Sequence, residues 1–200
     1  AVAFTGSAIT GQMLKAGKAI LANNVRFNQE ADSLNFSMLG PDAAPGTEEF
    51  DLFIKEVANE MTTKAGQKCT AIRRTFVPEG MLTDVIAALG KRLEGVRIGD
   101  PAVEGVRMGP LAGAVQVGEV QKSVNRIARV AERVFGRPDD FEVTGADRKK
   151  GAFFPTLLFY AKDPFAATEP HDVEAFGPVN TVMPYRSVDE AIALARKGRG

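Results

Sequence analysis

Cys69 is the single cysteine of this chain, set in the run Ala65-Gly66-Gln67-Lys68-Cys69-Thr70-Ala71. A helix-length segment precedes it and the strand-like Ile72-Arg73-Arg74-Thr75-Phe76-Val77 follows. A lone thiol between a glycine-marked helix end and a short strand is where a fold can present a nucleophile. The same residue type is equally a small buried hydrophobe, and one cysteine says nothing of its partners. Lys68, Arg73 and Arg74 are the nearby cations that could favour a thiolate. Glu30 is a carboxylate between two strand candidates, a position open both to general-base work and to a solvated turn. Ser7, after Phe4-Thr5-Gly6, closes a strand-to-helix turn whose N–H groups would suit an anion. One cysteine and one histidine, His171, cannot close a tetrahedral zinc site, so no metal is expected. His171 itself reads as a loop residue between Pro170 and Asp172.

These residues need elements to hold them, and strand-like and helix-like stretches alternate along the chain. Ala1–Phe4 is apolar, and residues 9–22 have helical spacing through Ile9, Met13, Leu14, Ala16, Ala19 and Ile20. Residues 25–28 and 34–39 are short strand candidates. Thr47 before Glu48, Glu49 and Phe50 predicts a capped helix with Phe50, Phe53, Ile54, Val57 and Met61 on one face. It should run to about Ala65 and end at Gly66. A helix after Pro78-Glu79 presents Met81, Val85, Leu89 and Leu93, and residues 95–110 form a Gly/Pro-rich loop. The spacing then predicts one long helix from Ala112 to about Val134 and an irregular connection to Lys150. Residues 152–160 read as extended, with Pro155 arguing against a central ladder position. A strand over 179–184 and a helix over 187–197, capped by Ser187 with Glu190 three residues on, complete the pattern. Alternation with apolar strands predicts an α/β fold with a mostly parallel sheet flanked by helices.

Bulk properties narrow the function classes. Lys+Arg 25 balances Asp+Glu 25, so no global charge draws the chain to nucleic acid or anionic lipid. No apolar run reaches the ~18 residues of a membrane span, and no signal peptide opens the chain. A lone cysteine suits a reducing, cytoplasmic setting.

Four motifs stand in a telling order: Phe4-Thr5-Gly6-Ser7, Glu30, Gly66-Gln67-Lys68-Cys69 and Glu174-Ala175-Phe176-Gly177-Pro178-Val179. Between them lie Ile98-Gly99-Asp100-Pro101, Met108-Gly109-Pro110-Leu111 and Gly151-Ala152-Phe153-Phe154-Pro155-Thr156-Leu157. The ordered set resembles the aldehyde dehydrogenase superfamily over nearly all 200 residues. Residues 30–35, 61–74 and 174–176 are most similar to a branch acting on CoA-linked semialdehydes in phenylacetate degradation. The resemblance implies the catalytic-domain type of that superfamily, with Cys69 as nucleophile and Glu30 as the base for deacylation. It implies that Gly6 and Ser7 lie beside the cofactor pyrophosphate, that Glu174 holds a nicotinamide-ribose hydroxyl, and that Phe176 packs on the cofactor edge. The cofactor is NADP or NAD, with NADP favoured, and the Cys69 N–H would help to bind the oxyanion.

The chemistry follows from the residue types. Thiolate attack on an aldehyde gives a hemithioacetal, hydride departure leaves a thioester, and a carboxylate-activated water hydrolyses it. One departure from the family pattern is Glu30-Ala31-Asp32-Ser33 where Glu-Leu-Gly-Gly is usual, which removes two permissive glycines. By the same resemblance, residues 1–29 are the tail of an NAD(P)-binding domain and residues 30–200 the main part of the catalytic domain. Both ends read as cut from a longer, homo-oligomeric protein, and the 200 residues alone should oxidise little or no aldehyde. A CoA-acylating relative and a non-catalytic protein retaining the fold are the alternatives; neither nucleic acid nor membrane is an expected partner.

Overall fold

The computed structural model describes residues 1–198, and divides into two compact units, Ala1–Ser33 and the chain from Leu34 onward. In the first unit, strand β1 (Val2–Gly6) leads through helices α1 (Ala8–Lys15) and α2 (Lys18–Ala22) to strand β2 (Phe27–Ala31). β1 and β2 pair in parallel, with Thr5 opposite Glu30 and Gly6 opposite Ala31. The predicted single helix over 9–22 is two helices. The break lies at Gly17, whose N–H bonds the Leu14 carbonyl at 2.9 Å, and a Cβ there would crowd that same oxygen. The division also places Glu30 in the first unit, on β2, and not at the head of the second.

The second unit is built on a five-stranded sheet. Its strands are β3 (Phe36–Met38), β4 (Arg74–Pro78), β5 (Glu132–Phe135), β6 (Leu157–Tyr160) and β7 (Val179–Tyr185), in the order β3-β4-β7-β6-β5. All neighbours are parallel except the β5–β6 pair at the edge. The expected α/β architecture, mostly parallel and helix-flanked, is therefore present. Pleating explains the core: side chains alternate between faces. Phe76, Leu157, Phe159, Val179 and Met183 join one cluster with Val120, Val124, Ile127 and Leu194 from α5 (Ala114–Ile127) and α7 (Val188–Lys197). Val77, Leu158 and Val182 face the other way, onto Phe50, Ile54, Val57, Val85 and Leu89 from α3 (Glu48–Thr62) and α4 (Leu82–Glu94). The central strands are buried on both faces, which is why they read as continuous apolar runs.

Three expectations are corrected. The helix predicted from Ala112 to Val134 ends at Ile127, and Glu132–Phe135 forms β5 against β6. β6 is an interior strand, because Pro155 lies two residues before its start and spares the ladder. A four-residue helix, α6 (Glu169–Asp172), carries His171, which is buried and not a loop residue. The two caps read from sequence are present: the Thr47 hydroxyl accepts from the Phe50 N–H at 3.3 Å and the Ser187 hydroxyl from the Glu190 N–H at 3.2 Å. Among the described residues no helix is long and apolar enough to cross a membrane.

Candidate active site

The segment carrying Cys69 departs from its expected geometry. α3 stops at Thr62, and Thr63–Gly66 is a tight turn in which Lys64 (φ 53°), Ala65 (φ 51°) and Gly66 (φ 71°) are left-handed in succession. The right-handed helix expected to reach Ala65 ends earlier. Left-handed backbone disfavours L-residues by about 1–2 kcal/mol each, so two non-glycine residues stay there only where neighbours over-determine the path. Here Ala65 is buried, and Gly66 packs so closely on Gly177 that an added Cβ would collide with its carbonyl oxygen.

Beyond this bend, the Ala71 N–H bonds the Lys68 carbonyl at 3.3 Å and closes a turn with Cys69 and Thr70 at its centre. Asn35, just before β3, donates from Nδ2 to the carbonyls of Cys69 (2.6 Å) and Ala71 (3.2 Å). The turn is thus pinned from below while Cys69 itself is exposed.

The cations expected around the thiol are otherwise engaged. Lys68 Nζ pairs with Glu60 Oε1 of α3 at 2.6 Å. Arg74 is buried and donates to the carbonyls of Leu34 (2.8 Å) and Leu194 (3.0 Å) and to Nδ1 of His171 (3.1 Å). Arg73 is buried too, and its guanidinium meets main-chain acceptors on the Cys69 loop: Gly66 O at 2.8 Å and Lys68 O at 3.4 Å. It reaches equally to Gly177 O at 2.8 Å and Glu174 Oε1 at 3.3 Å. Burial pulls the Arg73 pKa below the ordinary arginine value, and the charges of Glu174 and Glu60 oppose that fall.

Glu174 and Phe176 sit on the loop between α6 and β7. The Glu174 side chain is 11% exposed, and its main-chain carbonyl accepts from the Ser123 hydroxyl. The Phe176 ring is 37% exposed, with the Arg73 guanidinium 5.4 Å from its centroid. Gln67 links this loop to the thiol loop. It donates to Phe176 O at 3.2 Å and accepts from the Ala112 N–H at 2.8 Å. Cys69, Glu174 and Phe176 therefore belong to two loops joined by Arg73 and Gln67. The signal for Gln67 and Arg73 was their polarity close to the thiol in sequence, whereas Asn35, 34 residues from Cys69, gave none; partners lie up to 109 residues away.

The remaining candidates lie together in the first unit. Glu30 is exposed on β2, opposite Thr5. Gly6 ends β1, and Ser7 caps α1, its Oγ accepting from the Thr10 N–H at 3.3 Å. Asp32 stands where the resemblance would place a glycine and adopts that backbone region itself, with φ 49°. Asp is among the residues that tolerate it. Its carboxylate accepts from the Ala8 N–H at 3.0 Å. Among the described residues no cluster of three or more acidic, cysteine or histidine side chains could hold a metal ion.

A sequence profile of the aldehyde dehydrogenase family matches residues 1–198. The chain belongs to that family. It is 45% identical over 199 residues to the 3,4-dehydroadipyl-CoA semialdehyde dehydrogenase of Aromatoleum evansii, a match covering 100% of this chain and 39% of that protein. It is similar in structure to a betaine aldehyde dehydrogenase of Staphylococcus aureus in complex with NAD+, with TM-score 0.83 and 27% identity over 98% of this chain and 37% of that one. Aldehyde dehydrogenase C of Pseudomonas syringae, a mutant complexed with NAD+ and octanal, gives TM-score 0.81 and 27% identity over 98% and 38%. The chain spans less than two fifths of the length of each of these relatives.

Proposed function

We propose that this chain carries the thiol loop and part of the cofactor site of an enzyme oxidising a CoA-linked semialdehyde to its carboxylic acid. The observation that carries it is an exposed Cys69 at the centre of a pinned turn. The 45% identity to a CoA-semialdehyde dehydrogenase supports the substrate class, and the compound met in phenylacetate degradation is one candidate within it.

In this mechanism Cys69 Sγ attacks the aldehyde carbon and the oxygen becomes an alkoxide. A Cys69 N–H near that oxygen would stabilise it. Bound NAD(P)+ supplies the hydride acceptor. Once the acyl group is a thioester on Cys69, Glu30 takes a proton from water, and the hydroxide displaces sulfur to release the acid. A hydrolytic route is favoured over CoA acylation because a thioester handed to CoA needs no such base.

Cofactor fit is good in one place and poor in another. Glu174 offers an anchored acceptor beside the half-open ring of Phe176, a pair suited to a sugar hydroxyl and a flat edge. Gly6 and Ser7 fit a pyrophosphate less well, because the α1 start already holds the Asp32 carboxylate. NADP over NAD remains the preference that the resemblance favours.

The test uses a protein of the relatives' full length containing this sequence, with a CoA-linked semialdehyde and either NADP+ or NAD+. Cys69→Ala should abolish reduced-cofactor formation. Glu30→Gln should keep a first-turnover burst of one equivalent and lose steady-state turnover by ~10²-fold or more. Loss of burst and steady state together would remove Glu30 from its role, and turnover in Glu30→Gln that depends on added CoA would select the acylating alternative.

A further inference from the structure

The side chain that joins the two loops is Arg73, and its main chain is fixed before its guanidinium does anything. Its N–H bonds Asn35 O at 3.0 Å and its carbonyl accepts from the Thr181 N–H at 2.9 Å, so the residue is held between the β3 and β7 sides of the sheet. From there one planar group divides its donors. Nη2 faces Gly66 O, Lys68 O and Glu174 Oε1, while Nη1 faces Gly177 O. Two of these acceptors immediately precede Cys69, and the other two bracket Phe176. The guanidinium also lies against the Phe176 ring.

Lysine offers no equivalent, because a single ammonium is a point donor and cannot span acceptors divided between the two ends of a planar fork. The acceptors are deep enough to feel its loss: the Arg73 side chain is 4% exposed and that of Glu174 11%. Gly66 lies directly against the Gly177 carbonyl. The two loops therefore share a backbone contact as well as the guanidinium, and one cannot shift without the other.

We propose that Arg73 is a positioning residue that locks the Cys69 loop and the Glu174–Phe176 loop into one rigid unit, so that thiol reactivity and cofactor affinity are set by the same guanidinium. Arg73 touches neither the sulfur nor the reacting carbon in this proposal; it acts through the Gly66–Lys68 backbone and the Glu174 carboxylate. The cofactor half rests on the function proposed above, while the thiol half does not.

The experiment takes full-length protein and two variants. Arg73→Lys keeps the charge and loses the span. Glu174→Gln alters only the far loop and serves where Arg73→Lys does not fold. Three quantities are read: the melting temperature, the Kd for NADPH and NADH by fluorescence titration, and the alkylation rate of Cys69 by iodoacetamide from pH 6 to 9 without substrate or cofactor. Arg73→Lys should weaken cofactor binding and change the alkylation rate, each by roughly 5-fold or more. Glu174→Gln should shift alkylation in the same direction, by about 2-fold or more, although it lies 105 residues from Cys69 in sequence. A residue that only stabilises the fold would lower the melting temperature and leave alkylation at the wild-type value. Unchanged alkylation in both variants overturns the proposal. If aldehyde oxidation is absent from the wild type but both variants still alter alkylation, the proposed function fails and the positioning role stands. The opposite pattern, burst kinetics as proposed with alkylation unmoved, leaves the function and removes the role of Arg73.

Discussion

Asp32 carries two duties in one short side chain. Its backbone is left-handed, at φ 49°, and its carboxylate caps the first N–H of α1 at 3.0 Å. The sequence made the loss of two glycines look like a loss of backbone freedom; the structure keeps the left-handed turn and adds a charge. Asp32→Ala removes both features that make the position tolerable. The left-handed penalty of about 1–2 kcal/mol and the cap of about 1 kcal/mol should combine to destabilise this region by roughly 2–3 kcal/mol. Asp32→Gly relieves the strain and loses the cap alone, at about 1 kcal/mol. Hydrogen exchange of the β2 amides reads these differences locally, and equal effects for Ala and Gly would show that the backbone is not strained there. Asp32→Asn keeps the turn and the acceptor but removes the negative charge. If Gly6 and Ser7 lie beside a pyrophosphate, this change should tighten NADPH binding in a full-length protein by roughly 3–10-fold. A weaker or unchanged Kd would place the phosphates elsewhere.

At the scale of elements, the bend after α3 decides where the thiol loop goes, and its three left-handed residues differ in what they tolerate. Lys64 is exposed, so glycine there relieves strain and loses no packing. Lys64→Gly should gain roughly 0.5–1 kcal/mol after the entropy of glycine is counted, whereas Lys64→Ala should gain nothing. Gly66 is the opposite case, since a Cβ would drive its positive-φ backbone into the Gly177 carbonyl. Gly66→Ala should lose more than about 2 kcal/mol and disturb Cys69 alkylation. Urea midpoints for the three variants check the order.

The bend also marks the limit of what residue patterns could convey. The α3 face and its Thr47 cap follow from local spacing and capping chemistry, whereas the exposure of Cys69 was left open by its residue type. The left-handed turn does not follow from spacing, because two of its three residues are not glycine and its close packing is on Gly177, more than a hundred residues downstream. β5 escaped for a related reason. Val124, Ile127, Ala131 and Val134 continue a helical 3–4 spacing, and only pairing with β6 makes Glu132–Phe135 a strand. α6 is too short for any period to appear. Cys69, Glu30 and Glu174 were legible as residue types in an ordered pattern. The bonds by which Asn35, Gln67 and Arg73 hold the Cys69 and Glu174 loops were not, because most of their partners are main-chain groups that any sequence offers.

Across the whole second unit, the buried Arg74 ties distant parts of the chain to β4. It accepts no protons and only donates, so His171 Nδ1, 3.1 Å from its Nη1, must be unprotonated, and the ring proton sits on Nε2, which donates to Pro164 O at 2.8 Å. Its Nε donates to Leu34 O before β3, its Nη1 to Leu194 O of α7 and its Nη2 to Ala195 O at 3.4 Å, and the mutually stacked rings of Phe36 and Phe76 lie 5.7 and 5.4 Å away. Burial pulls the Arg74 pKa down to about 10, so it remains charged at neutral pH. Burial is also the main force lowering the His171 pKa, aided by Arg74 and Lys197; the Pro164 carbonyl and Asp172 oppose it. The sign of the consequence is fixed. Below the ordinary histidine value of about 6.5 the unfolded chain binds a proton that the folded one refuses, so stability falls as pH drops through that window and is fully present above it. His171→Asn can keep an acceptor toward Arg74 and has nothing to titrate, so its stability should be lower but flatter between pH 7 and 5. His171→Leu leaves an Arg74 N–H without its acceptor and should lose about 1–3 kcal/mol at every pH. Urea unfolding of the three proteins at pH 8, 7, 6 and 5 separates these effects. A pH slope in His171→Asn as steep as in the wild type would mean that another group governs the acid limb, and that the buried histidine is a packing element alone.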